Sequence, residues 1–189
     1  MDVLWVDDEL IVAGPDTQAQ VVAIPPGVTY AGLRFAPGAA PALLGVPAHE
    51  LRDRRVRLSA IWPGAEVRRL AERVAEAPDA AEALSRLIRP TPPEPWVADV
   101  VRALRQGYPI KNLAESLPLS ERQLHRRCLQ LFGYGPKTLA RVLRMERALD
   151  LARTGLPFGA VAAEAGYADQ AHLAREVKAL AGVPMSALV

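Results

Sequence analysis

Six side chains in the C-terminal half have the chemistry to read nucleic-acid bases: Arg122, His125 and Arg126 in one cluster, Gln170, His172 and Arg175 in another. Arginine donates a bidentate pair to guanine, glutamine can pair with adenine, and histidine reaches a base edge or a phosphate. Lys111 and Lys178 are better suited to phosphate, and Ser120 adds a hydroxyl; such contacts position a protein without specifying sequence. No catalytic set competes with these clusters. Paired carboxylates and a Ser-His-Asp arrangement are missing, and His49 is isolated beside Glu50. His125 and His172 lie 47 residues apart with no nearby Cys ligand, so no metal site is expected. The single thiol, Cys128, falls on an apolar helical stripe, where it reads as core rather than nucleophile. An outward arginine on an amphipathic helix is more often merely solvated, so the clusters take their meaning from the elements that carry them.

Those elements form a repeat. Residues 110–133 and 159–182 read as two copies of one helix-turn-helix pattern offset by 49 residues, with Ala114 on Ala163, Glu115 on Glu164, Leu124 on Leu173, Arg126 on Arg175, Leu131 on Leu180 and Gly133 on Gly182. Such a motif needs a small residue where its helices pack, a tight turn, and a second helix with one buried face. In the first copy Ala114 is the small residue and Leu117-Pro118-Leu119 the turn. Ser120 with Gln123 then forms a capping box. Leu124, Cys128 and Leu131 make the buried stripe, which points Arg122, Arg126 and Leu129 outward and His125 to a flank. In the second copy Ala163 is small, Gly166 permits a left-handed turn, and Asp169 caps. Leu173, Val177 and Leu180 are expected to be buried; Ala171 and Arg175 face outward, with Gln170 near the helix start and Ala174, Lys178 and His172 on flanks.

The spacing between the copies is suggestive in itself. A helix of about 17 residues from near Lys137 to Arg153 spans about 26 Å at 1.5 Å per residue. With the packing radius of each motif added, recognition helices over about 121–132 and 170–181 fit one DNA turn, roughly 34 Å, apart. One chain could then enter two successive major grooves.

Charge follows the repeat. Residues 1–95 hold 10 Arg and no Lys against 13 Asp and Glu, whereas residues 96–189 hold 13 Lys and Arg against 8 acidic residues. The resulting −3 and +5 place the basic balance in the half with the motifs, as an electrostatic approach to phosphate requires. One cysteine excludes an intramolecular disulfide and suits a reducing cytoplasm. No apolar run approaches the roughly 20 residues of a membrane span, and the acidic start MDVLWVDDE argues against a secretory signal.

The expected fold class is α+β in two domains. RPTPPEP carries four prolines in seven residues and reads as a semi-rigid linker. We place it at 90–95, between a domain at 1–89 and an all-helical domain at 96–189. Before it, residues 2–6, 9–13, 20–24 and 28–35 read as short strands of a small antiparallel sheet, divided by Asp7-Asp8, Gly14-Pro15-Asp16 and Pro25-Pro26-Gly27. Val67, Leu70 and Val74, then Leu84, Leu87 and Ile88, recur at helical spacing, and Asp79 with Glu82 forms a capping box. After the linker, Trp96, Val97, Val100, Val101 and Leu104 form one apolar stripe ended by Gly107 and Pro109.

With these residues in view, the C-terminal half resembles the AraC/XylS family of bacterial transcription regulators. SERQLHRRCLQLFGYGPKTLARVLRMERAL is similar to the family's Ser-x-Arg-x-Leu-x-Arg-x-Phe pattern and the helix after it. GYADQAHLAREVKALAGVPMSAL resembles its Gly-Tyr/Phe-x-Asp/Glu-x-x-x-Phe/Leu-x-Arg-x-Phe-Lys end, which precedes Gly-x-x-Pro. The likeness covers about 108–188 and implies base-reading positions at Arg122, His125, Arg126, Gln170, His172 and Arg175. Two departures stand out. Cys128 and Val177 occupy positions where the family has a buried Phe, and Ala171 and Ala174 are small where members place polar contacts. The first motif is therefore expected to contribute more discrimination. Residues 1–89 resemble, more loosely, a reduced cupin-like sensor half, a partial barrel, clearest over GLRFAPGAAPALLGVPAHELRDRRV. Effector binding or dimerisation by this half is implied by analogy only.

Two other classes compete with this reading. The opening VDDEL resembles the acidic pocket of a receiver domain, but the first lysine of the chain is Lys111, beyond the linker, and the acidic pair reads better as a hairpin turn. A helical interaction module, or a DNA-repair module carrying the same double motif, is the alternative to a regulator; a buried Cys128 speaks against alkyl transfer. The expectation is thus a non-enzymatic, cytoplasmic protein without cofactor whose partner is duplex DNA. RNA polymerase, a small-molecule effector and a second copy of the chain are open candidates, and no membrane partner is expected.

Overall fold

The computed structural model describes residues 1–20, 27–117 and 119–189. The chain divides into two compact units, one made of Met1–Asp16, Val21–Glu94 and Leu129–Gly133, the other of Thr17–Gln20, Pro95–Cys128 and Tyr134–Val189. The architecture is α+β: a small antiparallel sheet in the first unit and helices in the second.

In the first unit, strands Asp2–Val6 (β1), Glu9–Ala13 (β2), Tyr30–Arg34 (β3) and Arg55–Arg57 (β4) form an antiparallel sheet in the order β3-β1-β2-β4. Register follows the period-2 burial pattern. Val3 pairs with Val12 and Leu33, and Trp5 with Leu10 and Ala31, on the inner face. On the other face Asp2 meets Arg34 at 3.0 Å and Glu9 meets Arg57 at 3.0 Å. Asp7 and Asp8 both have positive φ, 49° and 61°, the conformation of a two-residue hairpin turn with matching twist. The acidic pair is a turn and not a pocket.

The strand expected at 20–24 falls almost wholly on residues outside those described. β4 was not expected: its sequence, RVR, offers one apolar residue and no alternation long enough to read.

Helices Ala40–Leu44 (α1), Gly64–Ala75 (α2) and Ala80–Leu87 (α3) complete this unit. α3 packs on β3, and α2 on β2 and α3, so Val3, Val12, Val74 and Leu84 are shut from solvent in one core. Asp79 caps α3, its Oδ1 accepting from the N–H groups of Ala81 (2.9 Å) and Glu82 (3.0 Å). The Glu82 carboxylate, expected to return the bond, instead pairs with Arg86 at 3.0 Å one turn on. Residues 88–94 carry no helix or strand.

In the second unit, helices Pro95–Arg105 (α4), Ile110–Ser116 (α5), Glu121–Phe132 (α6), Pro136–Arg153 (α7), Phe158–Glu164 (α8) and Gln170–Ala181 (α9) follow in order; the last turn of α6 is counted in the first unit. α4 packs on α5 and α7, and α7 on α8 and α9. Proline at the first helical position and Gly135 before it start α7. It runs 18 residues, about 27 Å. Arg105 and Asp150 pair between α4 and α7. Around the C-terminal half of α7, Ala148, Val161, Ala162, Leu173, Val177 and Met185 form one closed core.

Candidate nucleic-acid interface

Both recognition helices form where the sequence places them, and each is capped as its first residues require. At α6, the Ser120 hydroxyl accepts from the Gln123 N–H (3.3 Å), while Gln123 Oε1 accepts from the Ser120 N–H (2.8 Å) and hydroxyl (3.0 Å). This is a reciprocal capping box, and it commits the Ser120 side chain to the helix end. At α9, Asp169 Oδ1 accepts from the His172 N–H at 2.6 Å. The carboxylate also suits the positive end of the helix dipole. Pro118, the middle of the expected first turn, lies outside the described residues.

Leu124, Cys128, Leu173 and Val177 are buried as the stripes predict, with Leu180 beside them. The first stripe ends differently: Phe132 is buried and Leu131 only half-buried, so the face rotates by one residue in the last turn. Burial pushes the Cys128 thiol up to about 12, which holds it neutral and unreactive.

The two copies are not related by one constant offset. The 49-residue spacing holds for the recognition helices, where Leu124 and Leu173, Cys128 and Val177 are all buried. In the first helices it fails, because Ala114 is buried but Ala163 is exposed; the buried partner is Ala162, at 1% exposure. A 48-residue offset matches Leu113 with Val161, Ala114 with Ala162, and the N-cap prolines Pro109 with Pro157. The second turn is thus one residue longer. Gly166, at φ +77°, lies in that longer turn, in a conformation that favours glycine.

Arg122, Arg126 and Arg175 are exposed, as are Lys111 and Lys178. Among the described residues none of these five makes a side-chain hydrogen bond or ion pair. Gln170 is exposed at the first position of α9. His125 is exposed too, but both histidines have close neighbours. The His125 ring lies against the backbone of Gly135, so close that a β-carbon there would come within 2.6 Å of Cε1. His172 is half-buried; its ring meets Tyr167 edge-on at 5.3 Å, and Nδ1 accepts from the Ala168 N–H at 3.4 Å. His125 thus meets the turn after its helix, and His172 the turn before its own.

A polar cluster that no motif announced lies behind α9. Glu176 accepts a bidentate pair from Arg141, Nε to Oε2 at 3.0 Å and Nη2 to Oε1 at 3.2 Å. Arg144 approaches the same carboxylate at 3.9 Å and stacks over the Tyr167 ring at 4.5 Å. The Arg141 hydrogen bonds hold the Glu176 carboxyl below the usual carboxylate range. The i, i+3 spacing of Arg141 and Arg144 was the available signal, but nothing in the sequence named Glu176 as their shared partner.

Comparison with known families agrees with this geometry. Residues 113–189 match the family model described as a helix-turn-helix domain. That match runs from α5 through α9 and so takes in both motifs. Residues 1–57 match a second model, described as a domain of unknown function (DUF6597). The pair is consistent with an AraC/XylS-family regulator, and the C-terminal match supports DNA binding and transcription regulation. No curated protein and no solved structure matches the chain. Among the described residues no helix is long and apolar enough to cross a membrane, and no group of three or more His, Cys, Asp or Glu is arranged to hold a metal.

Proposed function

We propose that the chain is a sequence-specific transcriptional regulator of the AraC/XylS type whose α6 and α9 enter successive major grooves of one duplex. The observation that carries this is a set of exposed cations on the motifs that have no partner among the described residues: Arg122, Arg126 and Arg175 on the recognition helices, with Lys111 and Lys178 beside them. Leaving an arginine unpaired keeps its guanidinium fork available to a guanine edge. Arg122 and Arg126 then read the first block, and Gln170 and Arg175 the second. His125 holds the turn after α6 and His172 the turn before α9, with a base contact as a secondary role. Lys111 and Lys178 take phosphates, and Ser120 serves the cap.

The remaining assignments follow the same reading. Residues 1–89 form the controlling domain, joined by the linker at 90–95 to the DNA-binding domain at 96–189. Effector binding or pairing with a second copy belongs to the first domain, and RNA polymerase is the partner at the promoter. The protein acts in the cytoplasm without catalysing a reaction. A DNA-repair role by alkyl transfer is disfavoured by the buried, neutral thiol of Cys128.

The test is duplex binding followed across salt, with Arg126→Ala beside the wild type. Affinity should fall steeply and linearly on log–log axes as salt rises. Arg126→Ala should cost about 1–3 kcal/mol and relax preference at one base pair. A loss equal for all sequences would make Arg126 a phosphate contact, and salt-insensitive binding of protein alone would favour the interaction-module reading.

A further inference from the structure

The repeat extends one helix further upstream than the motifs. α4 precedes α5 and α6 as α7 precedes α8 and α9, and in each triplet the first helix grips the third through the residue that follows the exposed arginine. After Arg126 comes Arg127, half-buried, its guanidinium 5.2 Å from the centroid of the Trp96 ring at the start of α4. After Arg175 comes Glu176, 19% exposed, bound by Arg141 and approached by Arg144 on α7. Arg127 and Glu176 are 49 residues apart, the offset that relates the recognition helices, so they are equivalent positions with different chemistry.

Resting on the DNA-reading function argued above, we propose that Arg127 and Glu176 are positioning residues for base recognition: each clamps its recognition helix to the helix before its motif and sets the rotation that aims the neighbouring arginine. Successive helical residues are separated by about 100°. A residue anchored at the flank therefore fixes where the preceding side chain points, and rotation about the helix axis would sweep that side chain across the groove. The anchors differ in strength. Glu176 is held by a planar, two-bond ion pair, a geometry that resists rotation. The second arginine continues the hold to the turn, because Arg144 also covers Tyr167, whose ring meets His172 in the first turn of α9. The Arg127–Trp96 contact is a single cation–π stack, which is less directional and permits more adjustment. The second motif, poor in polar readers, is thus the more rigidly aimed, and α6 with its two arginines the more adjustable.

The test measures base-pair discrimination by the full-length chain on duplexes enriched from a random pool, each position substituted in turn. Glu176→Gln keeps shape and removes charge; it should flatten discrimination about tenfold in the block read by α9. Discrimination in the other block, and affinity for non-specific duplex, should stay within about twofold. Arg127→Gln should show the reverse pattern. Arg141→Lys retains the charge but loses the two-bond geometry; its effect should fall in the α9 block and be non-additive with that of Glu176→Gln. If Glu176→Gln unfolds early in a thermal melt, Arg141→Lys carries the test alone. Unchanged discrimination in the α9 block, or an equal loss in both blocks, would overturn the positioning role. A wild-type chain that selects no duplex sequence would overturn the functional reading and this inference with it, whereas selection by the wild type with unmoved variants defeats the inference only.

Discussion

At the scale of single residues, type and neighbourhood separate the arginines into two uses. Arg141 and Arg144 pair with Glu176, and Arg105 with Asp150; Arg122, Arg126 and Arg175 are exposed and have no partner among the described residues. Lys178→Ala should therefore weaken binding to all sequences alike and lower the salt slope by about one, measured by titration at several salt concentrations; a loss confined to one base pair would reassign it as a reader. Cys128 is closed to solvent, with its thiol raised to about 12, so a thiol reagent added to native protein at neutral pH should react only as fast as the protein unfolds. Rapid labelling without denaturant would contradict its place in the core. The exposure of Arg122, Arg126 and Arg175 was legible from residue type and helical angle. The engagement of His125 with Gly135 and of His172 with Tyr167 was not, because both depend on where a turn returns the chain.

At the scale of elements, the helices were legible wherever capping and periodicity agreed. Ser120 with Gln123, and Asp169, do at α6 and α9 what their positions predict. Asp169→Ala should remove the cap of α9 and cost about 1 kcal/mol of stability, read as a lowered midpoint in denaturant. The α7–α9 clamp has a pH signature. Its carboxyl lies below the usual carboxylate range in the folded protein, so the stabilisation is complete above the unfolded-state value and is lost as pH falls through the lower, folded value. Base discrimination in the α9 block should thus hold down to mildly acidic pH, and Glu176→Gln should remove this acid-dependent part of stability. Equal acid sensitivity in the variant and the wild type would sink that assignment. What the sequence obscured was the extra residue in the second turn. A single offset aligned Ala114 with Ala163 by identity, although burial pairs Ala114 with Ala162. In an alanine-rich helix one position of slip leaves the residue name unchanged. β4 escaped for a different reason, since three residues, two of them arginines, gain strand character only by pairing with β2.

At the scale of the whole molecule, the charge division of −3 before and +5 after residue 95 follows the division of labour proposed between control and DNA binding. The N-terminal unit has its own closed core, and its match to a domain of unknown function leaves its role to be argued from behaviour. The central claim concerns the two motifs acting together, and α7, at about 27 Å, is the ruler between them. Selection of bound sequences from a random duplex pool by the full-length chain tests that claim most directly. The account predicts two short, unlike blocks, centred about one helical turn apart and in one orientation, with the sharper preference in the block read by α6. No enrichment, a single block, or an inverted repeat that requires two chains would contradict it.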